Sequence, residues 1–227
     1  MDDALRSAGL VPQAEPYTAL GYAHVNGGGG ESTSAGVLAA TGATAVVDWV
    51  VVELRNKNNA AQVLATRSAL LLRNGNVVDV DGTSDMTFTT VTADDHYVAV
   101  RHRNHLGVMT QAPVSLGTVA SLIDFSAGAA TAGGTASTKP IGAVRCLYAG
   151  DANGNGEVKY TGASNDRDLV LARVGGSVPT NTVGGYYRED LNLDGVVKYS
   201  GSGNDRDIIL VNIGGISPTS ILTDALP

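Results

Sequence analysis

The apolar positions of the chain fall into short runs separated by turn residues. AVVDWVVVELR (Ala45 to Arg55) is rich in Val, with Trp49 inside it, and predicts a strand with Trp49 in the core. AAQVLATRSALLLR leads into Asn74-Gly75, a strong hairpin turn signal, and then into NVVDVDG. MTFTTV, HYVAVRHRNHLGVMT, VSLG and SLIDFS continue the pattern. Roughly eight short strands at this spacing predict a mostly β fold, closed as an antiparallel, Ig-like β-sandwich. Little room is left for helices before residue 150.

The residues before this region, 1–44, lack a period. They hold GLVPQAEPYTALGYAHVNGGGGESTS, with two prolines and then Gly27 to Gly30. No Lys-Ser/Thr follows the glycines, so a phosphate cradle is excluded. The glycine run reads as a flexible or close-packing loop, and the irregular segment is expected to dock on a neighbouring copy by adding a strand to a sheet edge. AGAATAGGTASTKPIG (Ala127 to Gly142) reads as a surface loop or linker. The expected organisation is therefore 1–44 irregular, 45–145 sandwich and 146–227 repeats. VRCLYAG before the first repeat is apolar enough to couple the last two closely.

From residue 150 the pattern changes. GDANGNGEVKYTGASNDRD (Gly150 to Asp168) returns as EDLNLDGVVKYSGSGNDRD (Glu189 to Asp207) at an offset of 39 residues. Asp151, Asn153, Asn155, Gly156 and the Glu157 carbonyl fall at positions 1, 3, 5, 6 and 7 of a calcium-loop template. Asp190, Asn192, Asp194, Gly195 and the Val196 carbonyl do the same. Alternate residues around a tight turn point inward, which places hard oxygen donors about one centre. Val158 and Val197 follow as apolar anchors. Position 12, counted straight, falls on Gly162 and Gly201. Setting aside KYTGAS and KYSGSG brings Asp168 and Asp207 into that position, with Asp166 and Asp205 as rivals. Apolar helical patterns follow, LVLARV and IILVNI, each stopped by a glycine pair. Asn155 against Asp194 makes the first loop the weaker one.

On these residues the region 150–215 resembles the dockerin family, tandem calcium loop-helix units, and the six-residue insert departs from it. The resemblance implies Ca2+ as the bound ion and a protein partner. Arg167 and Arg206 are expected to tie carboxylates or a helix end, and Tyr160 and Tyr199 to pack against the neighbouring module.

Composition narrows the rest. The net charge is −7 without a basic cluster, which argues against nucleic acid. The one cysteine, Cys146, excludes an internal disulfide and reads as a small buried apolar residue. No apolar run spans a bilayer, so membrane insertion is not expected. MDDALRSAGL lacks a signal peptide's apolar region. His102 and His105 in RHRNH, read as strand residues, lie on opposite faces and make a poor zinc site. Asp79, Asp81 and Asp85 in VDVDGTSD read as a hairpin turn rather than a third cation site. Ser68 has no base near it in sequence, and no triad, dyad or zinc motif is legible, so an enzyme is not expected.

VVDWVVVELR, ATRSALLLRNGNVVDVDGTS and YVAVRHRNHLGVMT also resemble a segment near the C-termini of very large secreted surface proteins of Bacteroidota, where similar VKYTG…NDRD repeats follow. That resemblance implies a secreted or cell-surface location. The expected function is a non-enzymatic, calcium-binding extracellular module for adhesion, surface display or self-assembly. The alternative is a carbohydrate-binding module with a glycan partner, against which aromatics at 5% weigh.

Overall fold

The structure is a computed structural model that describes residues 1–127, 131–133 and 137–227. Its strands are β1 (Val46–Asn56), β2 (Asn59–Leu72), β3 (Val77–Val78), β4 (Asp94–His102), β5 (His105–Met109), β6 (Val114–Leu116), β7 (Lys139–Ile141), β8 (Val144–Cys146), β9 (Glu157–Lys159), β10 (Thr182–Gly184), β11 (Val196–Lys198) and β12 (Ile221–Thr223). Its α-helices are α1 (Ala4–Ser7), α2 (Ala35–Leu38), α3 (Asp166–Arg173) and α4 (Asp205–Asn212). The chain is mostly antiparallel β, as expected. Among the described residues, β1 to β6 form one sheet in the order β3-β2-β1-β4-β5, with β6 also on β4. No helix among them is long and apolar enough to cross a membrane.

Strand β1 is the centre of the sheet, with Val51 opposite Ser68 on one side and Arg101 on the other. Ten consecutive residues of β1 are buried, so both of its faces are covered. Trp49 and Val51 face a cluster with Leu5, Val11, Tyr17, Leu70, Leu72 and Val78. A register slip between Val46 and Asp48 lets Val46 join it. Val52, Leu54 and Val98 face the other way, beneath Met86, Phe88, Val91, Leu116 and Ile123.

The N-terminal segment is therefore a layer of the core. Leu5 is fully buried, the Tyr17 hydroxyl donates to the Trp49 carbonyl at 2.7 Å, and Trp49 Nε1 donates to the Pro12 carbonyl at 2.9 Å. It packs on its own sheet rather than lying loose beside it. MTFTTV and SLIDFS, expected as strands, carry none. Met86, Phe88, Val91 and Ile123 from these stretches instead cover the second face of the sheet from irregular chain. The expected linker from Ala127 to Gly142 falls partly on residues 128–130 and 134–136, outside the described residues. Its end, Lys139–Ile141, pairs with β8 as a hairpin.

The repeats interlock. After α3 the chain turns at Gly175-Gly176, both at positive φ, and returns as β10 to pair with β11 of the second repeat. After α4 it turns at Gly214-Gly215 and returns as β12 to pair with β9 of the first. Matching bonds close both crossings: Ser200 Oγ donates to the Pro179 carbonyl at 2.7 Å and Thr161 Oγ1 to the Pro218 carbonyl at 2.9 Å. The shared core holds Val158, Val170, Val174, Leu191, Val197, Ile209 and Ile213, and Leu106 of β5 inserts into it from the sheet.

Candidate metal centre

Each loop is shaped by its own side chains. Asp151 Oδ1 accepts the N–H groups of Gly154 and Asn155 at 2.7 and 3.0 Å, and Oδ2 accepts that of Gly156 at 2.9 Å. Asn153 and Asn155 each accept from the main chain two residues on, at 2.9 Å. The loop thus winds about the Asp151 carboxylate and enters β9 at Glu157, where Val158 is fully buried. The second loop repeats this: Asp190 accepts from Asp194 and Gly195 at 3.1 and 2.9 Å, Asn192 from Asp194 at 2.8 Å, and Asp194 from Val196 at 2.8 Å.

The acids hydrogen-bonded into the loops are the rivals, Asp166 and Asp205. Asp166 is fully buried, and its Oδ1 accepts from the N–H groups of Ala152 and Asn153 at 2.8 and 3.3 Å. Its Oδ2 accepts from Lys159 N–H at 2.8 Å. Asp205 does the same with Leu191, Asn192 and Lys198 at 2.7, 3.3 and 2.8 Å. Asp168 and Asp207, expected at position 12, are turned away from the loops. The Asp168 side chain is 57% exposed and paired with Arg167 at 2.9 Å, and that of Asp207 is 51% exposed and paired with Arg206 at 2.8 Å.

The helix start explains this. Asn165 is the N-cap of α3 and accepts from Asp168 N–H at 3.0 Å, while its amide donates back to the Asp168 carboxylate at 2.8 Å. Asn204 and Asp207 match at 2.9 and 2.8 Å. Asn-Asp-Arg-Asp is a reciprocal cap whose last acid serves the helix, which leaves the first acid to the loop.

Burial pushes the carboxyl of Asp166 up to about 7, against the main-chain donors, and neighbouring Asp151 adds to the rise. Asp205 is likewise pushed up to about 7 by burial, with Asp190 beside it. Burial also raises Asp151 and Asp190. Each loop therefore brings two desolvated carboxylates together with amide and main-chain oxygens, a donor set that fits a hard cation. Among the described residues no group of three or more His, Cys, Asp or Glu side chains meets at one point.

Trp49 is fully buried, as expected, whereas Cys146 is only half-buried. Arg167 and Arg206 tie the Asp168 and Asp207 carboxylates, and each also lies over the tyrosine of its own repeat, Tyr160 or Tyr199, at 5.1 Å. Asp79 pairs with Arg67, and Asp81 accepts from Thr83 and Ser84 in a turn. His102 and His105 are not on opposite faces of one strand. They face each other across the β4–β5 turn with ring centroids 4.5 Å apart.

That turn is the feature missed in the sequence. Arg103 is buried, donates to Asp48 at 3.0 Å and to the Tyr187 carbonyl, and lies 4.2 Å over the Tyr186 ring. Leu106 N–H donates to the Tyr148 carbonyl at 2.8 Å. The turn thus plugs into the residues that lead into both loops. No protein-family model, curated protein or solved structure matches the chain.

Proposed function

We propose that this protein is a non-enzymatic, calcium-binding extracellular module for adhesion, display or self-assembly. In this reading the antiparallel β-sheet region carries a dockerin-like pair of calcium loop-helix units, as in the C-terminal regions of large secreted surface proteins. One observation supports it above the others: both repeats bury a pair of carboxylates, Asp151 with Asp166 and Asp190 with Asp205, without a basic side chain hydrogen-bonded to either pair among the described residues.

Asp151, Asn153, Asn155, the Glu157 carbonyl and Asp166 would hold the first ion. Asp190, Asn192, Asp194, the Val196 carbonyl and Asp205 would hold the second. A bound divalent cation neutralises the paired carboxylates. The chain's own residues do the rest: the glycine turns bring the donors inward, and Val158 and Val197 anchor each loop to the shared core.

Ion at about 100 times its Kd adds roughly 2.7 kcal/mol per site to stability. Melting the chelator-stripped protein with and without calcium tests the reading. A higher melting temperature in calcium supports it. Identical curves, with magnesium as a control, contradict it.

A further inference from the structure

We propose that the two loops are coupled through Asn104 and Arg188, so that a cation held in one raises the affinity of the other. The inference rests on the cation reading above and adds to it a dependence between the sites.

Asn104, at the tip of the β4–β5 turn, is fully buried. Its Nδ2 donates to the carbonyls of Arg188 at 2.8 Å and Asp190 at 2.6 Å, and Asp190 opens the second loop. Its own carbonyl accepts at 3.0 Å from Gly150 N–H, immediately before Asp151 of the first loop. One buried residue of the sheet therefore holds the start of both loops.

Arg188 provides a second route. Its carbonyl sits on Asn104, while its Nη1 donates to the Asn153 carbonyl of the first loop at 3.2 Å. The guanidinium packs so closely that a Cβ at Gly154 would lie 2.8 Å from Nη2. These contacts are not a product of the repeat. The residue matching Arg188 is Ala149, which has no side chain to reach across, and Asn104 lies outside the repeat. The chain has added an asymmetric bridge between two otherwise equivalent loops.

The direction of the coupling follows from ordering. A cation that fixes Asp190 also fixes the adjoining main chain of Arg188, and with it the guanidinium on Asn153 and Gly154. The first loop then binds its ion with part of its ordering already done. Couplings of this kind run from about fivefold to 150-fold in affinity.

The test is a mutant cycle read by calcium calorimetry on the full chain. Asp205→Asn empties the second loop and should weaken calcium binding at the first about fivefold or more. Arg188→Met removes one route and should lessen that effect of Asp205→Asn; with Asn104→Ser as well, adding Asp205→Asn should leave the first loop's affinity unchanged. Asp194→Ala supplies a second emptying variant, and Asn104→Ser alone a second single cut, should either of the others misfold. A first-loop affinity indifferent to Asp205→Asn, or a dependence that survives both cuts, overturns the coupling while leaving the cation reading intact. A parent protein that binds no calcium overturns both.

Discussion

Arg103→Met tests how the sheet is joined to the repeats. The side chains of Arg103 and Asp48 are both fully buried, with Nε and Oδ2 3.0 Å apart. Asp48 also accepts from the Tyr186 hydroxyl at 2.5 Å and lies 3.2 Å from His102 Nε2. Removing the guanidinium leaves that carboxylate buried without its main counter-charge. Breaking one side of a buried pair costs about 3–5 kcal/mol. At about 2–4 °C per kcal/mol for a chain of this size, melting should fall by roughly 10 °C. Asp48→Asn with Arg103→Met should recover part of the loss, because the orphaned charge is gone. Urea unfolding followed by Trp49 fluorescence, in saturating calcium, measures both. The acid limb carries a second signature. Burial pushes the Asp48 carboxyl up, but Arg103 and His102 outweigh it and hold it well below the usual range. Its stabilising share is thus present above about pH 3.9, the ordinary value for Asp, and is lost as pH falls from there through the folded value. The parent should lose stability below pH 4 more steeply than Arg103→Met. A single variant within 1 kcal/mol of the parent, or a double variant as costly as the two singles together, refutes the reasoning.

Other outcomes follow from the same structure. Asp166→Asn should abolish most of the calcium-dependent stabilisation of the first loop, whereas Asp168→Asn, which keeps the Asn165 cap and loses an exposed ion pair and a first-turn charge, should cost about 1 kcal/mol or less with or without calcium; paired melts in calcium and chelator separate them. Leu5→Ala should destabilise the sheet by about 2–5 kcal/mol in urea titration, because it empties a fully buried core position. Gly28→Ala should cost roughly 1–3 kcal/mol by thermal melt, since Gly28 has φ +84° and its Cβ would lie 2.3 Å from the Thr66 carbonyl oxygen.

Patterns with many repeats of one local rule were legible in the sequence. Strand β1, the Asn74-Gly75 turn, the 39-residue offset and the two helices with their glycine stops each rest on adjacent residues. What depends on distant partners was not. Leu5, Val11 and Tyr17 have no common period, and only the sheet beneath them makes them a core layer. The strands β10 and β12 are three residues long, too short for alternation to show, and exist because each crosses to the other repeat. At the site, the first-position and Asn residues were placed by spacing. For the closing acid, counting favoured Asp168 and Asp207 over their rivals Asp166 and Asp205, because it ignores where a helix begins. The Asn-x-x-Asp spacing of a reciprocal cap was present in both copies and assigns the second acid to the helix. RHRNH gave no signal as a joint, since a polar strand end and a polar plug read alike until the groups they meet are known.

Direct calcium titration of the chelator-stripped full chain tests the central claim most closely. Calorimetry combined with bound-metal analysis should find two ions per chain, falling to one in Asp166→Asn and to one in Asp205→Asn, while Asp168→Asn and Asp207→Asn still hold two. No bound ion in the parent, or loss of an ion with Asp168→Asn but not with Asp166→Asn, would contradict the account.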